Sequence, residues 1–170
     1  MSELKQLEQA EKAALSFLSY GMRTEQQVRR RLIEKEFAAE IIDAVIEKLT
    51  GLHYLDDLEY AILYLEYAEQ KRHGIRRIME ELKKRGISTL TAEDARYEYE
   101  RRKKENGFEI ESEAERAEKE ACRLAAGREI DDKLIAKIGR RLKTLGYESD
   151  SIYHAVGRIM SMRNGVKKEL

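Results

Sequence analysis

Three observations place this chain in the all-α class, as a tandem repeat of three three-helix bundles making an elongated, curved body. First, one apolar pattern occurs three times: Val28-x3-Leu32-x4-Phe37, Ile78-x3-Leu82-x4-Ile87 and Ile138-x3-Leu142-x4-Tyr147. Fixed-period self-similarity marks a repeat architecture. Second, the 170 residues contain no proline and 39% charged residues, a composition rich in side chains that lose little rotamer freedom in a helix. Third, no useful stretch alternates at period two, whereas Ile41, Ile42, Val45, Ile46 and Leu49 form a stripe at helical period, as do Ile75, Ile78, Met79 and Leu82.

The repeat divides the chain into residues 1–51, 52–107 and 108–170, each near the lower size limit for independent folding. The first set of helices is expected over 3–20, 25–35 and 39–50. Gly21 stops the first helix, Thr24-x-x-Gln27 starts the second, and Gly51 ends the third. The second set is expected over 57–72, 75–85 and 92–105. Asp56-x-x-Glu59 and Thr91-x-x-Asp94 supply capping-box starts, and Gly74, Gly86 and Gly107 supply stops. The third set is expected over 113–126, 132–144 and 150–163, opened by Ser112-x-x-Glu115 and punctuated by Gly127, Gly146 and Gly165. The second set departs from the pattern where Arg96 occupies a position apolar elsewhere, and the following stretch from Glu98 to Lys119 is very polar.

Composition narrows the function. Lys plus Arg and Asp plus Glu number 33 each, so net charge is zero, whereas a dedicated nonspecific DNA binder carries a basic excess. The single cysteine, Cys122, allows neither an internal disulfide nor a thiol metal site, and reads as a small packing residue. The N-terminal residues do not read as a signal peptide, and no apolar run approaches the roughly 20 residues that span a bilayer. A cytoplasmic protein with no membrane partner is expected, with a monomer as the simpler state.

No catalytic, cofactor-binding or metal-binding constellation is legible. His53, His73 and His154 stand apart without metal-ligand spacing, and no phosphate loop or nucleophile motif is present. Asp56-Asp57 reads as a helix start rather than a metal site. The acidic run from Glu109 to Glu120 reads as the solvated face of a starting helix. The basic clusters are the candidate contact surface: Arg29 and Arg30 in the first middle helix, Arg76, Arg77, Lys83, Lys84 and Arg85 in the second, and Arg140 and Arg141 in the third. Stacked bundles would align them into a positive strip suited to phosphates or an acidic protein surface. The competing reading is local: Glu80 to Lys84 and Glu81 to Arg85 have the favourable order for intrahelical pairs, each worth about 0.2–0.5 kcal/mol.

Nearly the whole chain resembles the RecX regulatory proteins. The resemblance is carried by Ala14-Leu15-x-x-Leu18-x5-Thr24-Glu25-x-x-Val28-Arg29-Arg30-x-Leu32-x-x-Lys35, then Leu52-His53-Tyr54-Leu55-Asp56-Asp57-x-x-Tyr60-Ala61, then Gly74-Ile75-x-x-Ile78-x-x-Glu81-Leu82-Lys83-x-Arg85-Gly86-Ile87. The third repeat matches mainly through Arg141-Leu142-x-x-Leu145-Gly146-Tyr147. Glu36 and His53 stand where the family usually has glycine, departures that a shifted turn could absorb. The resemblance implies a non-catalytic protein that docks in the groove of a RecA–DNA filament and restrains ATP hydrolysis, strand exchange and filament growth. DNA phosphates would be a second partner. The alternative from the residues alone is a stand-alone, sequence-independent DNA-binding helical module.

Overall fold

A computed structural model describes residues 2–168, and the side chains of 2–165. Among them the chain forms nine helices and no strand: α1 (Glu3–Leu18), α2 (Glu25–Glu34), α3 (Ala39–Gly51), α4 (Asp57–Gln70), α5 (Ile75–Lys84), α6 (Thr89–Glu105), α7 (Glu113–Ala125), α8 (Asp132–Leu145) and α9 (Ser149–Lys168). The all-α class and the nine helices in this order are as the sequence predicts. By compactness the chain divides into two units. The first holds everything up to Tyr64 together with Glu81–Glu98, and the second holds Leu65–Glu80 and everything from Tyr99 onward. Each helix of the middle set therefore contributes residues to both.

The first unit is built on α1, α2 and α3, which pack pairwise. Ala10 and Ala14 meet Val28, Leu32, Ile42, Val45 and Leu49 in a core that also takes Leu55, with Phe17 and Phe37 at its edge. Full burial of a Leu, Ile or Val side chain stabilises by about 1.5–3 kcal/mol before entropy is counted. In the second unit Ala117, Ala121 and Ala125 let α7 approach closely, and Ile138, Leu142, Tyr147, Ala155 and Ile159 fill the space between α7, α8 and α9. Cys122 packs at the edge of this core.

The helix ends explain the triplicate pattern. In α2 the Phe37 amide donates to the Leu32 carbonyl at 3.2 Å and the Glu36 amide to Ile33 at 2.8 Å. Ile87 to Leu82 with Gly86 to Lys83, and Tyr147 to Leu142 with Gly146 to Lys143, repeat the geometry. This is the Schellman ending, in which the apolar residue two past the cap packs on the apolar residue three before it. The Leu-x4-apolar spacing is thus the sequence trace of one helix-ending motif used three times.

Several boundaries move for identifiable reasons. Helix α6 starts at Thr89 rather than 92 because the cap is Ser88, whose hydroxyl accepts from the Thr91 amide at 3.0 Å. Gly51 is the last residue of α3 and Gly74 precedes α5; the left-handed positions there are His53 (φ 59°) and Arg72 (φ 60°). Gly165 does not stop α9, which continues to Lys168. Glu36 (φ 62°) and His53 take the left-handed conformation themselves, so the turns are not shifted to absorb the missing glycines. The capping boxes at Thr24–Gln27 and Ser112–Glu115 form completely.

Candidate binding interface

One junction recurs, once in each unit. In the first, the start of α2 meets the end of α5. The Thr24 hydroxyl, fully buried, donates to the Arg85 carbonyl at 2.6 Å and accepts from the Gln27 amide at 3.2 Å. In the second, the start of α5 meets the end of α8. The Gly74 amide donates to Leu145 at 2.8 Å, the Arg76 amide to Gly146 at 3.1 Å, and Arg76 Nη2 to the Lys143 carbonyl at 3.0 Å. Donors of one helix start thereby satisfy orphan carbonyls of another helix end, with dipoles favourably ordered. Close approach sets the glycines: a Cβ on Gly86 would lie 2.2 Å from Gln26 Cβ, and one on Gly146 2.2 Å from Arg77 Cβ and 2.6 Å from its amide nitrogen.

Carboxylates complete these junctions. Glu25 offers its amide to Asp57 Oδ1 at 2.9 Å, while Asp56 caps its own helix through the Glu59 amide at 2.9 Å. Asp57 is half-buried, and burial raises its carboxyl pKa above the usual carboxylate range despite that hydrogen bond, with the Glu25 and Asp56 charges adding to the rise. Glu113 accepts from the Ile75 amide at 2.7 Å, the Glu148 amide at 3.2 Å and the Ser151 hydroxyl at 2.9 Å, so one side chain caps both α5 and α9. Glu120 is 3% exposed and pairs with Arg123 at 2.6 Å and Arg72 at 3.5 Å. The acidic run is therefore only partly a solvated face: Glu113 and Glu120 are structural.

A second network joins Glu69, Tyr99 and Lys103. Tyr99 and Lys103 (2.9 Å) both donate to the Glu69 carboxylate. Burial would raise the Glu69 pKa, but these two donors outweigh it and hold the carboxyl below its ordinary value. The Tyr99 phenol is pushed up, first by burial and then by the same carboxylate.

The basic residues named by the sequence fall into two groups. Arg29 is held by Asp43 (2.5 Å) and Glu25 (3.5 Å), and the Asp43 hydrogen bond raises its pKa. Arg85 pairs with Glu81 at 2.8 Å and lies 4.5 Å over the Tyr64 ring; burial works against its charge, but the Glu81 hydrogen bond outweighs it. Lys84 reaches Glu81 only at 3.9 Å and is 71% exposed. Arg76 is exposed but spends one nitrogen on Lys143, and half-buried Arg77 packs against Gly146. Arg30, Lys83, Arg140 and Arg141 are exposed and make no ion pair among the described residues.

Helix α8 differs most from the other two middle helices. It carries Lys133, Lys137, Arg140, Arg141 and Lys143, all exposed and unpaired among the described residues, and its one acid, Asp132, is occupied by Arg163 at 2.5 Å. At about 100° per residue, Lys133, Lys137, Arg140 and Thr144 fall within about 60° of arc, with Arg141 and Lys143 flanking them. On the Lys143 flank a cavity of about 630 Å³ is lined by Arg76, Gly139, Lys143, Tyr147, Glu148, Ser149, Asp150, Ile152 and Tyr153. Sequence reading passed over Lys133, Lys137 and Tyr153; projecting residues 132–144 on a helical wheel would have found the two lysines.

Among the described residues no group of three or more His, Cys, Asp and Glu is placed to hold a metal, and no helix is long and apolar enough to cross a membrane. His154 is engaged by Glu118 at 2.9 Å, which Arg158 also reaches at 3.2 Å.

Short helical sets, a repeated end-on junction and a charged outer helix face define a helical-repeat protein. The family model described as "RecX, first three-helix domain" matches residues 10–49. A "Regulatory protein RecX" of Bacillus cytotoxicus is 32% identical over 135 residues, covering 78% of this chain and 50% of that protein. One from Bacillus cereus is 28% identical over 167 residues, covering 97% and 59%. The crystal structure of RecX from Lactobacillus salivarius superposes with a TM-score of 0.73 at 25% identity, covering 95% of this chain and 98% of that one. A second crystal structure, of regulatory protein RecX, gives 0.71 at 26% identity, covering 90% and 73%. The chain belongs to the RecX family of regulatory proteins. It spans about half the length of the curated relatives it matches.

Proposed function

We propose that this chain is a non-catalytic regulator of a RecA-type recombinase, binding the RecA–DNA filament and lowering its ATP turnover, strand exchange and growth. The observation that carries the reading is the match to RecX proteins along nearly the whole chain, in sequence and in fold. The helix faces supply a means. Exposed cations recur on α2, α5 and α8, and weak contacts carried on one chain add through effective concentration. Of the nine candidate contacts, Arg30, Lys83, Arg140 and Arg141 lead because their charge is not already spent. Lys84 and Arg76 follow, and Arg29, Arg77 and Arg85 serve mainly the fold.

The test is ATP hydrolysis by RecA assembled on single-stranded DNA, titrated with this protein while free DNA is in excess. A fall in turnover at protein well below the DNA concentration supports filament regulation. Unchanged turnover together with salt-sensitive binding to bare DNA would replace it by the second reading, a stand-alone DNA-binding module. That reading draws on one observation, the unpaired cations of α8.

A further inference from the structure

We propose that α8 and the cavity beside it form a track for single-stranded nucleic acid, in which Tyr153 is the stacking platform for a base. The inference extends the DNA-contact part of the function proposed above and names its surface. Lys133, Lys137, Arg140 and Arg141 span nine residues of α8, about 12 Å of helix. They have no acidic partner among the described residues, so their charge is available to phosphates without first breaking a pair. Counterion release makes such a face bind a phosphodiester chain without sequence preference.

Tyr153 supplies what a bare basic face lacks. It is 77% exposed, lies on the wall of the 630 Å³ cavity, and packs in no core. One turn further on, Gly157 carries no side chain and has open space where one would stand. The cavity carries acids as well as bases: Arg76 and Lys143, Glu148 and Asp150, together with Ser149. That mixture disfavours a phosphate inside it. It suits a base, whose ring can lie on the phenol while its N–H groups meet carboxylate acceptors. Arg140 stands one residue from Gly139, a lining residue, so backbone track and base pocket adjoin. Stacking on an aromatic side chain tolerates any base, in keeping with a sequence-independent contact.

The experiment is fluorescence anisotropy of a labelled oligodeoxythymidylate with the full chain between 50 and about 200 mM salt, where phosphate contacts dominate the slope. Tyr153→Ala is expected to weaken binding about 5- to 100-fold with the salt slope unchanged, and Tyr153→Phe to bind as wild type. Lys137→Gln, Arg140→Gln and Arg141→Gln together are expected to flatten the slope of log K against log salt by about 2, at about 0.7 per phosphate contact. All positions are exposed, and far-UV circular dichroism would verify that each variant is folded. The proposal is overturned if the wild type does not bind the oligonucleotide at 50 mM salt, or if Tyr153→Ala binds as tightly as wild type. It is also overturned if the triple variant loses its effect on RecA ATP turnover with oligonucleotide affinity intact, which would assign α8 to an acidic protein surface. Loss of oligonucleotide binding with RecA regulation intact would support the track and separate it from the filament contact.

Discussion

Gly146 and Glu36 occupy the same position of the same helix-ending motif, yet replacing each by alanine should have opposite consequences. Both are left-handed, at φ 89° and 62°. An alanine at Gly146 incurs about 1–2 kcal/mol for the left-handed backbone, partly offset by its stiffer unfolded chain. Steric conflict costs more. The new Cβ would stand 2.2 Å from Arg77 Cβ and 2.6 Å from the Arg77 amide nitrogen, where no rotamer change relieves it. The start of α5 must withdraw from the end of α8, straining three hydrogen bonds, from Gly74 to Leu145, Arg76 to Gly146 and Arg76 Nη2 to Lys143. At about 0.5–1.5 kcal/mol each, these bring the total to about 3–5 kcal/mol.

Glu36 is exposed, and it already carries the left-handed cost. Glu36→Ala should therefore change stability by less than about 0.5 kcal/mol, and Glu36→Gly should stabilise by up to about 1 kcal/mol. Gly86→Ala should fall between, because its obstacle is the Gln26 side chain, with the Gln26 Cα at 3.7 Å. Urea denaturation followed at 222 nm reads the order directly: with m near 1–3 kcal/mol/M, Gly146→Ala should lower the midpoint by about 1 M or more. If Gly146→Ala and Glu36→Ala shift the midpoint equally, the close-approach argument for the junction is wrong.

Three further perturbations follow from the same contacts. Thr24→Val removes both an acceptor for the Gln27 amide and a donor to the Arg85 carbonyl in a fully buried site, and should cost about 2–3 kcal/mol; Thr24→Ser should cost under about 1 kcal/mol, by urea midpoints. Glu113→Ala leaves the Ile75 and Glu148 amides and the Ser151 hydroxyl without their acceptor and should cost about 2–4 kcal/mol, with Glu113→Gln recovering part of the loss, measured the same way. The pH profile of stability should separate Glu69 from Asp57. Glu69 has a depressed folded pKa, so its contribution is present above the unfolded value near 4.5 and is lost as pH falls through the folded pKa; Glu69→Gln should remove that part of the acid loss. Asp57 has a raised folded pKa, so its charge opposes folding at neutral pH and the penalty is relieved as pH falls; Asp57→Asn, which keeps an acceptor for Glu25, should be more stable than wild type at pH 7 and lose the advantage by pH 4. Equal profiles for both variants would discard the assignment.

The helices were legible because their signals are local. Val28, Leu32 and Phe37 reveal an apolar face and its termination within ten residues, and Thr24 and Ser112 announce their helices through capping partners three residues on. The errors arose where a boundary depends on conformation rather than composition. Gly51 and Gly74 looked like stops, but the exposed residues His53 and Arg72 take the left-handed position, which a non-glycine residue can occupy at a cost of about 1–2 kcal/mol. Glycine is demanded at 86 and 146 for a different reason, the helix start resting on them, and that neighbour is some 60 or 70 residues away in sequence. Glu113 was illegible for the same cause: its three donors lie 35 to 38 residues from it.

Charge shows the same division between local and distant causes. The clusters at Arg29, Arg85 and Arg140 look alike as sequence, each a pair or triplet of bases late in a short helix. What separates them is the supply of carboxylates within reach. Helix α2 carries Glu25 and meets Asp43 of α3, and α5 carries Glu81, so Arg29 and Arg85 are paired in place. Helix α8 offers only Asp132, taken by Arg163, and its bases remain open. An exposed ion pair is worth about 0–1 kcal/mol, too little to matter for stability but enough to reduce what a cation gains from a phosphate. Zero net charge therefore conceals a protein whose unpaired bases are densest on α8, and a binding assay that neutralises α2, α5 and α8 in turn should find the largest loss in α8.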